Sequence, residues 1–239
     1  MPESSSGPPA AFPSTIWSEV LALKGDKDES RRVRLEQLIH RYWRPVYWAI
    51  RCDGHHPKDE AGDLTQEFFI QILEGKVAPD GGPDKGSFRS YLRGALKYFL
   101  LDELRTASRQ KRGGGRKFLN LDFDSVGHDP PDLGSDPQQA LDRAWAQQIM
   151  EEAVRELEEG LSRDGRLRDV EIFRTYDLNE GRPPSYKDLA ARLGIDESEI
   201  WNILRYCRRQ LRAIVLKRIS PYVGSEAELL EELRELFGN

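Results

Sequence analysis

Residues 185–212 read SYKDLAARLGIDESEIWNILRYCRRQLR, and the spacing of their apolar side chains predicts two helices joined by a tight turn. Leu189, Ala190 and Leu193 recur at helical intervals before the turn, and Ile200 and Leu204 after it, which supplies the small shared core of a helix-turn-helix. Ser185 is placed to cap the first helix, with Asp188 at its third position. Gly194 and Ile195 form the turn, and Asp196 with Glu199 three residues on forms a capping box for the second helix. That helix turns Glu197, Ser198, Trp201, Asn202 and Arg205 outward near its N-terminal half, where a recognition helix meets base edges. Arg208, Arg209 and Arg212 follow where phosphates lie. Trp201 fits either a base or sugar contact or a packing contact with the preceding helix. An ordinary helical hairpin with a solvated arginine face is the bland alternative. The caps, the small turn and the basic helix, free of acids from Ile200 onward, together favour DNA binding.

The surrounding chain has 239 residues, 38% hydrophobic and 32% charged. That is lean in apolar material for a globular chain and predicts small helical units rather than one thick core. The net charge of −5 is unevenly spread. Between Ser87 and Phe118 nine Lys or Arg face two acids, between Ile200 and Ile219 six face none, and between Leu119 and Leu141 there are five Asp and no Lys or Arg. Two basic segments separated by an acidic one predict two phosphate-facing surfaces joined by a tether that DNA repels. Cys52 and Cys207 lie far apart with no metal-knuckle spacing, as expected of thiols in a reducing cytosol. No apolar run approaches a membrane span, and the start lacks the order of a signal peptide, so a cytoplasmic protein with no membrane partner is expected.

Upstream of the basic helices the pattern is helical throughout, and the fold class expected is all-α, with two small helical domains joined by an acidic flexible linker. Residues 1–14 are Pro, Ser, Gly and Ala and read as a disordered tail. A short helix over TIWSEVLAL, capped by Ser14 or Thr15, precedes RRVRLEQLIHRYWRPVYWAI, in which Pro45 predicts either a kink or the meeting of two helices. DEAGDLTQEFFIQILEG gives another helix, VAPDGGPDKGS an irregular loop, and FRSYLRGALKYFLLDELRTASRQKR a third. In the third, Phe88, Leu92, Leu96, Phe99 and Leu100 face a core while Arg89, Arg93, Lys97 and Arg105 stay solvated. The domain boundaries expected are 15–112, a linker over 113–137 in which FLNLDF can pack locally, a second domain over 138–222 and a final helix over 223–239.

Within GDLTQEFF, residues 62–69, and the residues before it, Asp59, Asp63 and Glu67 share one helix face while Leu64, Phe68 and Ile72 share another. The row could hold a metal, run acid–base chemistry, meet a basic partner or keep the helix wet.

The ordered set of segments resembles the extracytoplasmic-function (ECF) sigma factors of bacterial RNA polymerase, from about Trp17 to Ile219. FRSYLRGALKYFLLDELR is similar to their F-x-x-W-L-x-x-I-A-x-N-x-x-x-D-x-x-R segment. Phe88, Leu92, Ala95, Asp102 and Arg105 keep the spacing, Tyr91 stands for the Trp, and Leu96, Lys97 and Tyr98 for Ala-Arg-Asn. DEAGDLTQEFF resembles D-A-E-D-L-T-Q-E-x-F, RYWRPVYWAIR the family's helix with an internal Pro, and residues 185–212 its C-terminal domain. TIWSEVLAL, DLTQEFF, KRGGGR and ELLEELREL are similar to a branch common in Planctomycetes. The resemblance implies an alternative sigma factor with no cofactor and no enzymatic activity. It implies docking on core RNA polymerase, at the coiled coil of its largest subunit and at its flap, with Asp59, Glu60, Asp63, Gln66 and Glu67 on the coiled coil. Minus-ten promoter recognition and opening would fall to Lys76, Lys85, Ser87, Arg89, Arg93, Lys97, Tyr98 and Arg105. Minus-thirty-five recognition would fall to Ser185, Glu197, Ser198, Trp201, Asn202, Arg205, Arg208, Arg209 and Arg212. An anti-sigma or other regulatory protein is the further partner implied, and the last helix could contact it or pack on its own domain.

Two other readings fit parts of the chain. A DNA-binding regulator that never joins polymerase needs only the helix-turn-helix. A metallohydrolase would use His55, His56, Asp59 and Asp63 as ligands and Glu67 as base, but the chain has four His in all and no HExxH.

Overall fold

The computed structural model describes residues 29–53, 56–74, 76, 87–107, 121, 123 and 136–238, and every regular element among them is helical. In chain order these are α1 (Glu29–Cys52), α2 (Lys58–Leu73), α3 (Phe88–Ala107), α4 (Pro137–Arg163), α5 (Leu167–Tyr176), α6 (Tyr186–Leu193), α7 (Glu197–Ile219), a 3-10 turn at Ser220–Tyr222, and α8 (Glu226–Phe237). The helix expected over TIWSEVLAL, the tail over 1–14, the loop over 77–86 and most of the linker lie outside the described residues.

The residues fall into two units. The first takes the described chain up to Ala146 together with Ser220 onward, and the second is Gln147–Ile219. In the first, α1 passes through Pro45 as one helix. Pro45 has no N–H to give the Arg41 carbonyl, and the buried neighbours Tyr42, Trp43, Val46, Tyr47 and Ile50 hold the helix together across that gap, as packing commonly does. Phe68, Phe69 and Ile72 of α2 and Phe88, Leu92, Leu96, Phe99 and Leu100 of α3 complete the core. The Tyr42 ring lies at its centre, stacked on Trp145 at 4.2 Å and edge-on to Phe88 at 5.0 Å and Tyr222 at 5.8 Å. Each such ring pair adds about 1 kcal/mol beyond its buried area. Leu121 is buried and Phe123 meets Trp43 at 5.1 Å, so these two residues of FLNLDF pack locally, the other four lying outside the described residues.

The second domain was expected to begin at 138 and to carry the chain to 222. Instead the first ten residues of α4 place Ala140, Leu141 and Trp145 in the first unit, because Trp145 completes the ring cluster on Tyr42. Tyr222, buried Val223 and α8 return to the same unit. The division falls inside one unbroken helix, where no proline or glycine marks it.

The second unit is built on Leu157 and Leu161 of α4, Ile172 and Phe173 of α5, Leu189 and Ala190 of α6, and Ile200, Ile203, Leu204 and Cys207 of α7. Ser185 caps α6 by accepting the Asp188 N–H at 3.1 Å. Gly194 ends α6 at φ +66, a left-handed conformation open to glycine at little cost, and its N–H returns to the Ala190 carbonyl. Helix, turn and helix therefore stand as the spacing of residues 185–212 predicts.

Candidate nucleic-acid and polymerase interfaces

The outer face of α7 carries Glu197, Ser198, Trp201, Asn202 and Arg205, all exposed. Ile200, Ile203, Leu204 and Cys207 take the inner face, and this alternation leaves Trp201 46% exposed. That exposure leaves part of the ring free for a base or sugar contact and part of it covered. The Arg205 guanidinium lies 5.1 Å over the indole, so the ring and the charge form one amphipathic platform. Arg209 lies 5.7 Å over the Tyr206 ring, and Arg212 is exposed.

Two members of the predicted set are engaged locally. Arg208 donates to both Asp177 oxygens, at 2.6 and 3.0 Å, and this bond holds its pKa above the ordinary value. The Ser185 hydroxyl donates to the Asp188 carboxylate at 2.6 Å while capping α6, so its first function is to start the helix.

The predicted face of α3 divides into two. Lys97, Tyr98 and Arg105 are exposed, Tyr98 by 63%, and Leu101 and Leu104 emerge beside them. Arg93 is 33% exposed, 3.3 Å from Asp142 and 3.7 Å from Glu235. Arg89, expected in solvent, is fully buried. Its Nε and Nη2 donate to Glu232 at 2.7 and 3.0 Å, and further bonds reach Asp142 and Glu235. Ser87, also buried, donates to Glu232 at 2.9 Å. Neither Arg89 nor Ser87 stands at an open surface as predicted, because α8 lies on the first turn of α3. Burial alone would lower the Arg89 pKa, but the carboxylates of Glu232, Asp142 and Glu235 outweigh it and raise the value. Burial raises Asp142 despite Arg89 and Arg93. Lys76 is exposed and pairs with Glu74 at 2.6 Å, which raises its pKa. Lys85 lies outside the described residues.

Sequence reasoning missed Glu232, Glu235 and Asp142 here, and Asp177 in the second unit. Glu232 is 143 positions from Arg89, beyond any periodicity. The one available hint is compositional, a helix rich in glutamate at the end of a chain with a basic α3.

On α2, Asp59, Glu60, Asp63 and Glu67 are exposed and Gln66 is half-buried, while Phe68 and Ile72 are buried and Leu64 half-buried. Asp59 and Glu60 sit in the first turn, where the helix dipole favours anions. Glu60 lies 3.4 Å from His56, and Glu67 accepts from Gln71 at 3.1 Å. Thr65, between the two faces, donates to the Ala61 carbonyl at 2.7 Å. Among the described residues no three His, Cys, Asp or Glu side chains cluster as a metal would require, and no helix is long and apolar enough to cross a membrane. His55, a ligand in the metallohydrolase reading, lies outside the described residues.

A family model described as "ECF sigma factor" matches residues 46–215, a span that takes in α2, α3 and the helix-turn-helix. Searches of curated proteins and of solved structures returned no match.

Proposed function

The chain belongs to the ECF sigma factor family, and from that premise we propose how its surfaces divide the work of an alternative sigma factor in transcription initiation. The acidic face of α2 docks on a basic coiled coil of core RNA polymerase. The exposed part of α3 meets the minus-ten element and captures a base as the strands separate. The outer face of α7 reads the minus-thirty-five element. The observation that carries this reading is the α7 face, where Trp201, Asn202, Arg205, Arg209 and Arg212 are all outward while the opposite face is fully used in the core.

Each assignment has a physical basis. Asn and Arg side chains at the start of an exposed helix can make the paired hydrogen bonds that separate one base from another, and the arginines further on meet phosphates. Tyr98, with Lys97 and Arg105 beside it, offers a ring for an unstacked base within a cationic surround. Exposed carboxylates at four-residue spacing on α2 give fast, oriented association with a basic partner. Run-off transcription with the cognate core polymerase over a pool of genomic fragments, followed by sequencing of the products, tests the whole reading and yields the promoter. Discrete start sites that depend on the chain are the expected result. In the same system Asp63→Lys with Glu67→Lys should abolish capture of the core polymerase in a pull-down while leaving the Tm of the chain unchanged. Undiminished capture would overturn the docking assignment.

A further inference from the structure

Arg89, Arg93 and Lys97 are four residues apart on α3 and form one row of cations. The first two are taken by carboxylates of α8 and α4, and the third is exposed. The attachment of α8 is unusual in kind. Its one buried side chain is Glu232, whereas Leu229, Leu233 and Leu236 are half-buried and Leu230 and Phe237 are 52% and 40% exposed. A helix that docks by its apolar stripe alone buries its leucines, whereas the most deeply buried contact of α8 is a carboxylate fork on a guanidinium. That is the arrangement in which arginine receives a phosphate, with charge-assisted bonds of the same length and the same planar fit. Three carboxylates, from Glu232, Glu235 and Asp142, meet two guanidiniums there, so the cluster holds one more negative charge than positive.

We propose that α8 is an internal competitor for DNA: Glu232 and Glu235 occupy Arg89 and Arg93 in place of backbone phosphates, and DNA reaching α3 must lift α8 away. The inference rests on the reading of α3 as the DNA-facing helix. Once α8 leaves, Asp142 of α4 stays with Arg89 and Arg93, so the row gains net positive charge beside Lys97, and the helix that departs removes its own negative charge. DNA affinity and release of α8 are then the same event, and each strengthens with the other.

The test uses the full chain and a fluorescently labelled forked DNA of random sequence, since phosphate contacts do not depend on sequence. Binding is followed by anisotropy at fixed low salt. Glu232→Gln with Glu235→Gln should tighten binding by about fivefold or more. Glu226→Gln with Glu231→Gln removes the same charge from exposed positions of α8 and should change binding less than about twofold. Adding Arg89→Ala and Arg93→Ala to the first pair should cancel its gain. Hydrogen exchange over residues 226–237 of the unmodified chain, read with and without the fork, supplies a measurement that needs no variant: protection should fall when DNA binds. Equal gains from both glutamine pairs, or an α8 that stays protected under saturating DNA, would overturn the proposal. A pull-down with core polymerase on the same samples separates the two levels. Capture without any gain in DNA binding counts against the competitor, and absence of capture by the unmodified chain counts against the sigma-factor assignments.

Discussion

Cys207 lies within the core of the second unit, and its thiol is pushed up to about 11, first by burial and then by the nearby Asp169 carboxylate. A thiol held protonated is a poor nucleophile, and Cys52 in the first unit is buried as well. Titration with an aromatic disulfide at pH 8 should therefore leave both unmodified in the native chain and modify both after denaturation. The raised value also fixes a pH dependence. The ordinary value is 9.0, so between about pH 9 and 11 the unfolded chain releases this proton and the folded chain keeps it. Stability then falls as pH rises through that window, by on the order of 2 kcal/mol, and below about pH 8 the group contributes nothing. Urea denaturation of Cys207→Ala should show a flatter curve over the window. Inert thiols follow from their surroundings, and the sequence foretold only that they do not pair. Whether a side chain is buried depends on neighbours from other elements, which is also why Arg89 could be placed on a face of α3 but not under Glu232.

At the scale of the element, α7 divides its work by face, and two substitutions three residues apart should separate the halves. Trp201 is 46% exposed and Leu204 fully buried. Trp201→Ala should change stability by less than about 1 kcal/mol yet weaken binding of the minus-thirty-five element by about tenfold, as loss of a base contact does. Leu204→Ala should cost about 2–5 kcal/mol through the cavity it leaves. Chemical denaturation and binding to the promoter found by run-off transcription measure the two effects. The helix-turn-helix was legible because its determinants are local. Ser185 lies three residues from the N–H it caps, and Gly194 sits at the one position where φ is positive between the helices. The start of the second unit was not legible for the opposite reason. Nothing in AWAQQIM interrupts α4, and the boundary exists only because Trp145 finds Tyr42.

Across the whole molecule, charge is organised by pairing as much as by position. The chain is acidic overall at −5, and several of its arginines already hold internal carboxylates, so a count of basic residues overstates what DNA meets. Arg208 is forked on the Asp177 carboxylate, whereas Arg212 has no ion pair among the described residues. Removing Arg212 should lower the salt dependence of promoter binding by about one counterion, and removing Arg208 by less. Filter binding across a range of potassium chloride concentrations compares them. The discontinuous first unit carries a consequence for synthesis. Its last pieces, Tyr222 and α8, leave the ribosome only after all of Gln147–Ile219 has been made, roughly 5 to 20 s after Trp145 at ordinary elongation rates. During that interval the Tyr42 ring lacks one of its three partners and Arg89 lacks two of its three carboxylates. A nascent or prematurely terminated chain thus presents an under-paired guanidinium and an open aromatic core, and exposed apolar surface of that kind is what makes unfinished chains prone to aggregate.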